Sequence, residues 1–451
     1  MDELQDDHTI VIHGGTVLTM DPRRPVAESA NVVIRSGRIA AIDPRSPEEL
    51  SAAADGPCEV IDAHGHAVLP GLVNAHMHSG LLRGTTEGHS LEDWIRLFID
   101  PAHRELTPAD ARAAARACYA ESLLAGTTSV VDLGRFGAES RDAAIETGIR
   151  LNFAPYAGSD GEGLETVSSS RAFLEAAAAD PHPRIHPWVG LEHVSYADRA
   201  TTDALLDLMY EFDVRFHTHT SESAEEVRSS LSRYGRTPVE ELTHRGLLHE
   251  RTLLAHAVHL TDSDRAAIAA AGAAVTHCPT SNLKLGSGVA DVPRLHDAGI
   301  TVALGSDGEK ENNSLNMLAE MKLSALLRAG ITGTPESTDA LRTLRMGTSD
   351  GAKALGYSDI GTLTAGYRAD IVCIDLHSPG MTPLFTSGPY MNVVEHIVYS
   401  ASRRDVRTVL VNGEVMVRDG RLTRADIAEI QAEGTERAHH LLQRSRGHVP
   451  V

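Results

Sequence analysis

The sequence of 451 residues is poor in cysteine and has no long apolar run. None of its four cysteines forms a CxxC pair, so nothing resembles a disulfide framework, which is typical of a reducing cytoplasm. No run approaches the roughly 20 apolar residues that a membrane-spanning helix needs. The first residues, MDELQDDHTI, are acidic and lack an apolar core, so we expect no signal peptide. Together these features predict a cytoplasmic protein.

Basic residues are also scarce, with 41 Lys and Arg against 62 Asp and Glu and a formal net charge of −21. A surface of this sign repels phosphate backbones and anionic lipids, so we expect no nucleic-acid partner and no membrane partner. Hydrophobic residues make up 42% of the chain, which is enough for a large core. Histidine is the unusual count, at 24, and raises the question of whether some of these residues converge.

The pattern of residues along the chain changes twice, from strand-type runs to alternating strand and helix patterns and back. Short β-branched runs broken by Gly, Pro and Asp occupy residues 1–67 and return over 362–425, and they predict one small β-sandwich assembled from both chain ends. Over 68–361, eight apolar runs alternate with Ala-rich helical stretches. This pattern predicts βα units, and eight of them predict an α/β fold with a closed (β/α)8 TIM barrel. Residues 426–451 have helical periodicity and are predicted to pack outside.

Histidines and an aspartate recur where these apolar runs end, and the carboxyl ends of parallel barrel strands are where reactive groups gather. His76 and His78 end one run with a spacing that turns both imidazoles to the same side. His217 and His219 end another run. The later residue lies nearer the barrel mouth, so His219 is the predicted ligand and His217 is expected to fill the interior. Other strand ends carry His256, His277 and Asp307.

One His-x-His pair alone is a weak indication of a metal, because such pairs also occur at ordinary strand ends. His64 and His66 form a second pair around Gly65, among turn-type residues, and we expect an exposed turn there. The repetition at five strand ends is better explained by convergence on one site than by separate surface histidines.

At these residues the chain resembles the amidohydrolase superfamily. The resemblance is closest to the branch that holds methylthioadenosine/S-adenosylhomocysteine deaminase, 8-oxoguanine deaminase and the triazine hydrolases such as atrazine chlorohydrolase. It rests on segments from nearly the whole chain: IVIHGGTVLTMD, PGLVNAHMHSGLLRG, LEDWI, HTSE, LLAHAVHL, THCPTSNLKLGSG, ALGSDG, NNSLNML, GTLTAGYRADIVCIDL and VLVNGEVMVRDGRL.

The resemblance implies roles for particular residues. The positions that match the metal ligands are His76, His78, His219 and Asp307. Glu222 matches the proton-shuttling glutamate, and His256 matches the histidine beside the metal-bound water. Asp307 could also accept the proton of that water. Three imidazoles and a carboxylate suit Zn²⁺, with Fe²⁺ or Mn²⁺ as alternatives. No lysine ends RLNFAPYA or HPWVGLEH to bridge a second metal, so we expect one divalent ion.

The implied activity is that of a metal-dependent hydrolytic deaminase acting on a small heterocycle, such as a purine, pterin, pyrimidine or nucleoside-like compound. Metal-activated hydroxide would attack the ring carbon that carries the amino group. One alternative keeps the site but expels halide or alkylamine from a triazine-like ring. Another is a non-catalytic metal-binding scaffold. Relatives of this kind imply a homodimer or a higher homo-oligomer.

Several further residues are predicted to contact substrate: Trp94, His103, Glu192, His193, Glu222 and His277. Three of them have a structural alternative. Glu222 could be a solvated loop carboxylate, His277 a satisfied histidine at the barrel mouth, and Trp94 an anchor of its own helix. Nucleoside deaminases of this branch have a ribose-binding glutamate in the loop after the tryptophan. The corresponding position in this chain falls near His103. After Asp307 it has Glu-Lys-Glu over 309–311, which is either a solvated loop or a preference for a cationic substrate.

Overall fold

The structure is a computed structural model that describes residues 8–27, 30–52, 56–85, 87–159, 163–335 and 339–445. Its strands are β1 (Thr9–His13), β2 (Thr16–Leu18), β3 (Val26–Ala27), β4 (Asn31–Arg35), β5 (Arg38–Asp43), β6 (Cys58–Asp62), β7 (His66–Pro70), β8 (Leu72–Met77), β9 (Thr127–Gly134), β10 (Arg150–Pro155), β11 (Ile185–Pro187), β12 (Val189–Leu191), β13 (Phe216–Thr220), β14 (Thr252–His256), β15 (Ala274–His277), β16 (Val302–Leu304), β17 (Ile371–Asp375), β18 (Val406–Val411), β19 (Glu414–Arg418) and β20 (Arg421–Leu422).

The α-helices are α1 (Pro47–Ala52), α2 (Leu91–Trp94), α3 (Asp100–Glu105), α4 (Pro108–Leu124), α5 (Gly137–Thr147), α6 (Val167–Ala179), α7 (Arg199–Glu211), α8 (Ala224–Tyr234), α9 (Pro238–His244), α10 (Asp262–Ala271), α11 (Pro279–Lys284), α12 (Val292–Asp297), α13 (Glu309–Asn312), α14 (Met317–Thr332), α15 (Ala340–Met346), α16 (Ser349–Ala354), α17 (Val393–Tyr399) and α18 (Ile427–Ser445). A π-helical turn, Ile95–Ile99, joins α2 to α3, and three 3₁₀ turns span Val194–Tyr196, Pro379–Met381 and Arg403–Asp405.

Two parallel sheets form the central part of the molecule. One has the order β11-β10-β9-β8 and the other β12-β13-β14-β15-β16. Each of the eight predicted apolar runs contains a strand, and the fourth is interrupted at Trp188 into β11 and β12. The last strand lies beside the first, where the Asp307 N–H donates to the His76 carbonyl at 3.0 Å. Helices follow the strands, and several begin with capping boxes, as at Thr261 of α10.

The two ends of the chain meet in a seven-stranded sheet with the order β20-β19-β18-β17-β7-β2-β3. Within it β7 pairs antiparallel with β17, and β7 crosses the predicted boundary between residues 67 and 68. A second sheet, β5-β4-β1-β6, comes from the N-terminal part alone. One buried apolar cluster includes side chains from both sheets, among them Ile12, Ile34, Val68, Ile371 and Leu410.

A buried ion pair connects the parallel sheets to the seven-stranded sheet, between Arg150 of β10 and Asp370, the residue before β17. Arg150, at the start of β10, donates from Nε and Nη2 to the two carboxylate oxygens of Asp370, both at 2.9 Å. Both side chains are almost completely buried, and the Asn412 N–H also donates to Asp370 at 2.8 Å. Two parallel bonds of this kind fix orientation as well as contact.

The last described helix, α18, packs against α3 and α4. The final residues, 446–451, and the acidic N-terminal residues, 1–7, lie outside the described part of the chain. Among the helices that are described, none combines the length and apolarity needed to cross a membrane.

Candidate metal centre and substrate pocket

The strand ends of the parallel sheets bring the predicted ligands to one place. His76 lies in β8 and His78 directly follows it, while His219 lies in β13. His256 is the last residue of β14, and Asp307 follows β16. All five are buried or nearly so, at the common carboxyl edge where a parallel sheet collects its loops.

Backbone carbonyls fix the orientation of two of these rings. His78 Nδ1 lies 2.6 Å from the Leu133 carbonyl, and His219 Nδ1 lies 2.8 Å from the Glu192 carbonyl. A carbonyl only accepts, so each Nδ1 carries the proton and donates. The Nε2 atom of each ring therefore keeps a free lone pair, which is the form that binds a metal.

The third ring is oriented by another histidine. His217 Nδ1 donates to the Leu253 carbonyl at 2.9 Å, which leaves its Nε2 as an acceptor for His76 Nδ1 at 2.8 Å. His76 Nε2 is then an unprotonated, fully buried nitrogen with no hydrogen-bond partner among the described residues. The predicted role of His217 as an interior filler agrees with this position, and the structure adds that it orients His76.

The lone pairs converge on one point. The Nε2 atoms of His78 and His219 are 3.0 Å apart, and Asp307 Oδ1 lies 3.3 Å from the Nε2 atoms of His76 and His78. With both rings neutral, no proton lies between the two Nε2 atoms and they repel one another. A bound cation removes this repulsion, and so does a second proton on His78, whose pKa is raised by Asp307 against the effect of burial. Imidazole nitrogens and a carboxylate oxygen are donors that Zn²⁺ prefers, so these residues fit a divalent ion.

Asp307 is held in its ionised form. Ser281 Oγ donates to Oδ2 at 2.6 Å and the Gly308 N–H donates to Oδ1 at 2.8 Å. Burial alone would raise the pKa of this carboxyl, but hydrogen bonds and positive charge from the protonated forms of His76 and His78 outweigh burial and keep the pKa well below its usual range. A metal ion held by the same two rings would supply positive charge at the same place. A carboxylate in this state serves as a ligand and can accept a proton.

Glu222 and His256 lie on one side of this cluster. His256 Nδ1 donates to Asn282 Oδ1 at 2.9 Å, so its Nε2 is free to accept, 3.7 Å from Glu222 Oε2 and 3.9 Å from Asp307 Oδ2. Ser287 Oγ lies 3.3 Å from Glu222 Oε1. Burial raises the pKa of Glu222 above its ordinary value, which favours the protonated acid.

The backbone at these strand ends is strained. Ser221, His256, Ala257 and Asp307 all have positive φ angles, between 50° and 70°, which non-glycine residues rarely adopt. Such conformations cluster at functional sites because the surrounding structure over-determines them. Here they turn the side chains of His256 and Asp307 toward the cluster.

A narrow pocket opens beside the cluster. Of the predicted substrate contacts, five line it: Trp94, His103, Glu192, His193 and Glu222. His277 is buried at the end of β15 but is not among the lining residues, so its contact with substrate stays a prediction. Trp94 also packs with Leu91 and Ile99 in an apolar cluster, so it both lines the pocket and anchors its own helix. The cavity has a volume of about 30 Å³.

Glu192 and His193 form a buried ion pair, with His193 Nδ1 2.7 Å from Glu192 Oε2. Burial disfavours the charged ring, but Glu192 and Glu226 outweigh it and raise the pKa of His193 to about 10. Tyr156 donates its hydroxyl proton to Glu192 Oε1 at 3.1 Å. The imidazolium therefore remains charged at neutral pH and presents an N–H donor at the pocket edge.

The Glu-Lys-Glu run does not form a solvated loop, so that alternative is wrong. Glu309, Lys310 and Glu311 lie on α13 with relative exposures of 2%, 4% and 5%. The helix is buried because Asn312 Nδ2 anchors it to the Ser306 carbonyl at 2.7 Å. A charge run usually faces water, and the sequence pattern alone does not reveal this tertiary contact.

Sequence reasoning missed Asn282 and Tyr156. Asn282 orients His256, and Tyr156 lines the pocket. Asn282 stands in THCPTSN, a segment already quoted for its resemblance, so that motif was a usable signal. The pair His64 and His66 lies elsewhere. His64 is in an exposed turn, as predicted, whereas His66 is the half-buried first residue of β7.

Comparison with known proteins gives a consistent result. A model described as "Amidohydrolase family" matches residues 67–416. A curated 5-methylthioadenosine/S-adenosylhomocysteine deaminase from Halobacterium salinarum is 36% identical over 417 residues, which cover 88% of this chain and 92% of that protein. An adenosine deaminase from Xanthomonas campestris with bound zinc has a TM-score of 0.88 and 29% identity, covering 97% of this chain and 98% of its own. An atrazine chlorohydrolase from Arthrobacter aurescens, complexed with zinc, has a TM-score of 0.84 and 29% identity, covering 95% of this chain and 100% of its own.

Proposed function

The chain belongs to the amidohydrolase family, and from this premise we propose that it is a hydrolytic deaminase of an amino-substituted nitrogen heterocycle. It is then a hydrolase acting on non-peptide C–N bonds and holds one divalent metal ion, with Zn²⁺ preferred over Fe²⁺ or Mn²⁺. Support comes from the relatives named as deaminases and from the zinc-bound neighbours.

The observation that carries this proposal is the convergence of unprotonated donors. His76, His78 and His219 all present Nε2 lone pairs to the space beside Asp307 Oδ1, and His76 Nε2 is buried without a partner. An arrangement of this kind costs free energy without a cation, because each lone pair has lost its hydration.

A divalent ion bound there supplies a water molecule whose pKa is lowered toward neutrality. The side chains then divide the proton transfers. Asp307, ionised and next to the ligand cluster, would take a proton from that water and return it to the amino group, which would leave as ammonia. His256 would orient the water through its free Nε2. Burial raises the pKa of Glu222 and so favours the acid form, which would donate a proton to the ring nitrogen beside the attacked carbon.

The pocket has to open to admit a ring. Its volume of about 30 Å³ accommodates about one water molecule. Leu91, Trp94, Ile95 and Ile99 form its apolar wall, and all four belong to α2 and the π-helical turn between β8 and α4. We infer that this segment moves away from the strand ends when substrate enters and packs against the ring afterwards.

The finer architecture belongs to the same proposal. We propose that the two parallel sheets close into one (β/α)8 barrel over 68–361 and that the terminal sheets form a β-sandwich from 1–67 and 362–425, with 426–451 as an external helical tail. The contact between β16 and β8 supports closure, and the buried cluster shared by the terminal sheets supports the sandwich. A homodimer or higher homo-oligomer and a cytoplasmic location complete the proposal.

One experiment tests the activity. Purified protein is loaded with zinc, its metal content per chain is measured, and ammonia release is followed with amino-purines, amino-pterins, amino-pyrimidines and amino-triazines. We expect one ion per chain and ammonia from at least one class. Chloro-triazines belong in the same screen, because the chlorohydrolase neighbour keeps a triazine hydrolase as the second candidate. Protein that binds no metal, or turnover that survives chelation, would overturn the proposal.

A further inference from the structure

Glu311 is a buried carboxylate in the wall of the substrate pocket, and one of its oxygens is fully covered and unsatisfied. Its side chain is 7% exposed and lines the pocket, and Oε2 has no hydrogen-bond partner among the described residues. A buried carboxylate oxygen without a donor is costly, and native proteins rarely keep one without a reason. Since the roles derived for Glu222, His256 and Asp307 do not involve Glu311, its free oxygen needs another explanation.

The second oxygen of Glu311 has a partner beside it in the same wall. Lys310 Nζ lies 3.1 Å from Glu311 Oε1, and Lys310 is only 4% exposed and also lines the pocket. An ammonium group carries three donor hydrogens, and this contact uses one of them. The wall thus presents a cationic donor next to an anionic acceptor, and both have capacity left for a ligand.

The helix that carries this pair is firmly held. Lys284 Nζ donates to the Lys310 carbonyl at 2.7 Å, and Asn312 Nδ2 donates to Glu320 Oε1 at 2.8 Å. Gly308 leaves the space that Glu311 uses, because a Cβ there would lie 2.1 Å from Glu311 Oε2 and 3.0 Å from His78 Cβ. Glu311 Oε2 therefore lies beside a residue of the metal cluster.

We propose that Lys310 and Glu311 recognise a lactam edge, an N–H next to a carbonyl, on the heterocycle that is deaminated. The ammonium of Lys310 donates to the ring carbonyl, and Glu311 Oε2 accepts from the adjacent N–H. Both are charge-assisted hydrogen bonds, which are the stronger kind. This inference rests on the proposed function and narrows the substrate class to amino-oxo heterocycles.

The proposal separates this chain from the nucleoside deaminases that it resembles. An adenine ring has no N–H beside a carbonyl. Its N–H next to the ring acceptor N1 belongs to the amino group that is removed, so Glu311 cannot keep that bond through the reaction. A site built to bond an N–H rejects an analogue that lacks it far more strongly than an apolar pocket rejects a small change of size. His103, at the position near which relatives hold ribose, lies on α3 with its ring against Tyr156, at a centroid distance of 5.3 Å.

The test compares matched pairs of rings on the zinc-loaded protein. Guanine and 2-aminopurine carry the same amino group and differ in the lactam edge, and so do isoguanine and adenine. We expect kcat/KM for ammonia release to favour the lactam member of at least one pair by about 100-fold or more. Binding is measured separately by calorimetry with hypoxanthine and purine, neither of which carries an amino group, and hypoxanthine should bind at least about tenfold more tightly.

Variants of α13 assign the preference to the pair. In Glu311→Gln an amide N–H₂ can face the ring N–H, so the preference for hypoxanthine over purine should fall by about tenfold or more. Glu309→Gln is the matched control. Glu309 is also buried on α13, but it accepts from the Leu82 N–H at 2.9 Å and does not line the pocket, so the ratio should stay unchanged.

The outcomes separate the two proposals. If ammonia is released equally from both members of each pair, or if Glu311→Gln leaves the binding ratio unchanged, the lactam inference is wrong and the deaminase remains. If no ring releases ammonia while hypoxanthine is still preferred and Glu311→Gln removes that preference, the lactam site stands and the deaminase fails. The wild-type comparison needs no variant, so a misfolded variant does not leave the inference untested.

Discussion

Replacing Glu222 by glutamine tests the proposed acid directly. Glu222 is 3% exposed and its Oε2 lies 3.7 Å from His256 Nε2. Glutamine has nearly the same shape and keeps an oxygen that can accept from Ser287 Oγ, now at 3.3 Å from Oε1, so the fold and the metal site should survive. The amide cannot deliver a proton. Positioned acid groups contribute about 10²–10⁴-fold, so kcat should fall by that factor, equivalent to about 3 to 5 kcal/mol.

The dependence on pH gives a second reading of the same variant. Burial raises the pKa of Glu222, and the reaction needs the protonated form. Activity of the wild type should therefore fall as the pH rises through this raised pKa, and the variant should lack that alkaline limb. The assay is the initial rate of ammonia release from the best ring in the screen, from acid to alkaline pH, with metal content measured in parallel.

Glu225→Gln is the control, because Glu225 belongs to the same segment but is exposed and pairs with Arg228. It should retain wild-type kcat and the alkaline limb. If Glu222→Gln with a full complement of metal turned over as fast as the control, Glu222 would not be the acid, and the choice of the residue three positions after His219 would be refuted.

Three further predictions follow from the structure. His219→Ala should reduce bound zinc from one ion per chain to less than half an ion, as measured by atomic emission. Chelation of the wild type should lower its melting temperature reversibly, because a ligand that binds only the folded state stabilises it. Asn282→Ala removes the acceptor for His256 Nδ1 and should lower kcat by about 10- to 100-fold with unchanged metal content, while an unchanged kcat would mean that His256 needs no such support. Arg150→Met leaves Asp370 buried without its cation and should cost about 3 to 5 kcal/mol in urea unfolding, whereas Arg171→Met at the exposed pair with Glu211 should cost at most about 1 kcal/mol.

The proximity of His76, His78, His219 and Asp307 could be expected from the sequence because strand geometry is local. An i, i+2 spacing turns two side chains to one face, so His76 and His78 can be assigned together from their own run. Position along the strand also distinguishes His219 from His217, because His219 lies nearer the carboxyl end of β13. The strands β8, β13 and β14 were visible as apolar runs, and their carboxyl ends collect at one edge of any parallel arrangement.

Other parts of the site depend on contacts between distant segments, which no local pattern records. The carbonyl of Leu133 fixes His78, and the carbonyl of Glu192 fixes His219, but every residue has a carbonyl, so its identity carries no signal. The burial of Lys310 is of the same kind. A charged run is exposed in most proteins, and it is buried here because α13 is anchored between β16 and α14.

The strand ends and the apolar wall of the pocket are held by different kinds of contact. The strand ends that carry the ligands are fixed by parallel backbone hydrogen bonds, whereas the wall formed by α2 and the π-helical turn is held mainly by apolar contacts, including one with Leu441 of α18. Ser223 Oγ to Glu92 Oε1, at 2.9 Å, is a polar contact that ties α2 to the loop after β13. Moving this wall therefore breaks few hydrogen bonds, and a flat ring that enters restores the apolar contacts that were lost. The proposed metal ligands can therefore keep their positions while the pocket changes size, as the proposed deaminase reaction on a flat ring needs.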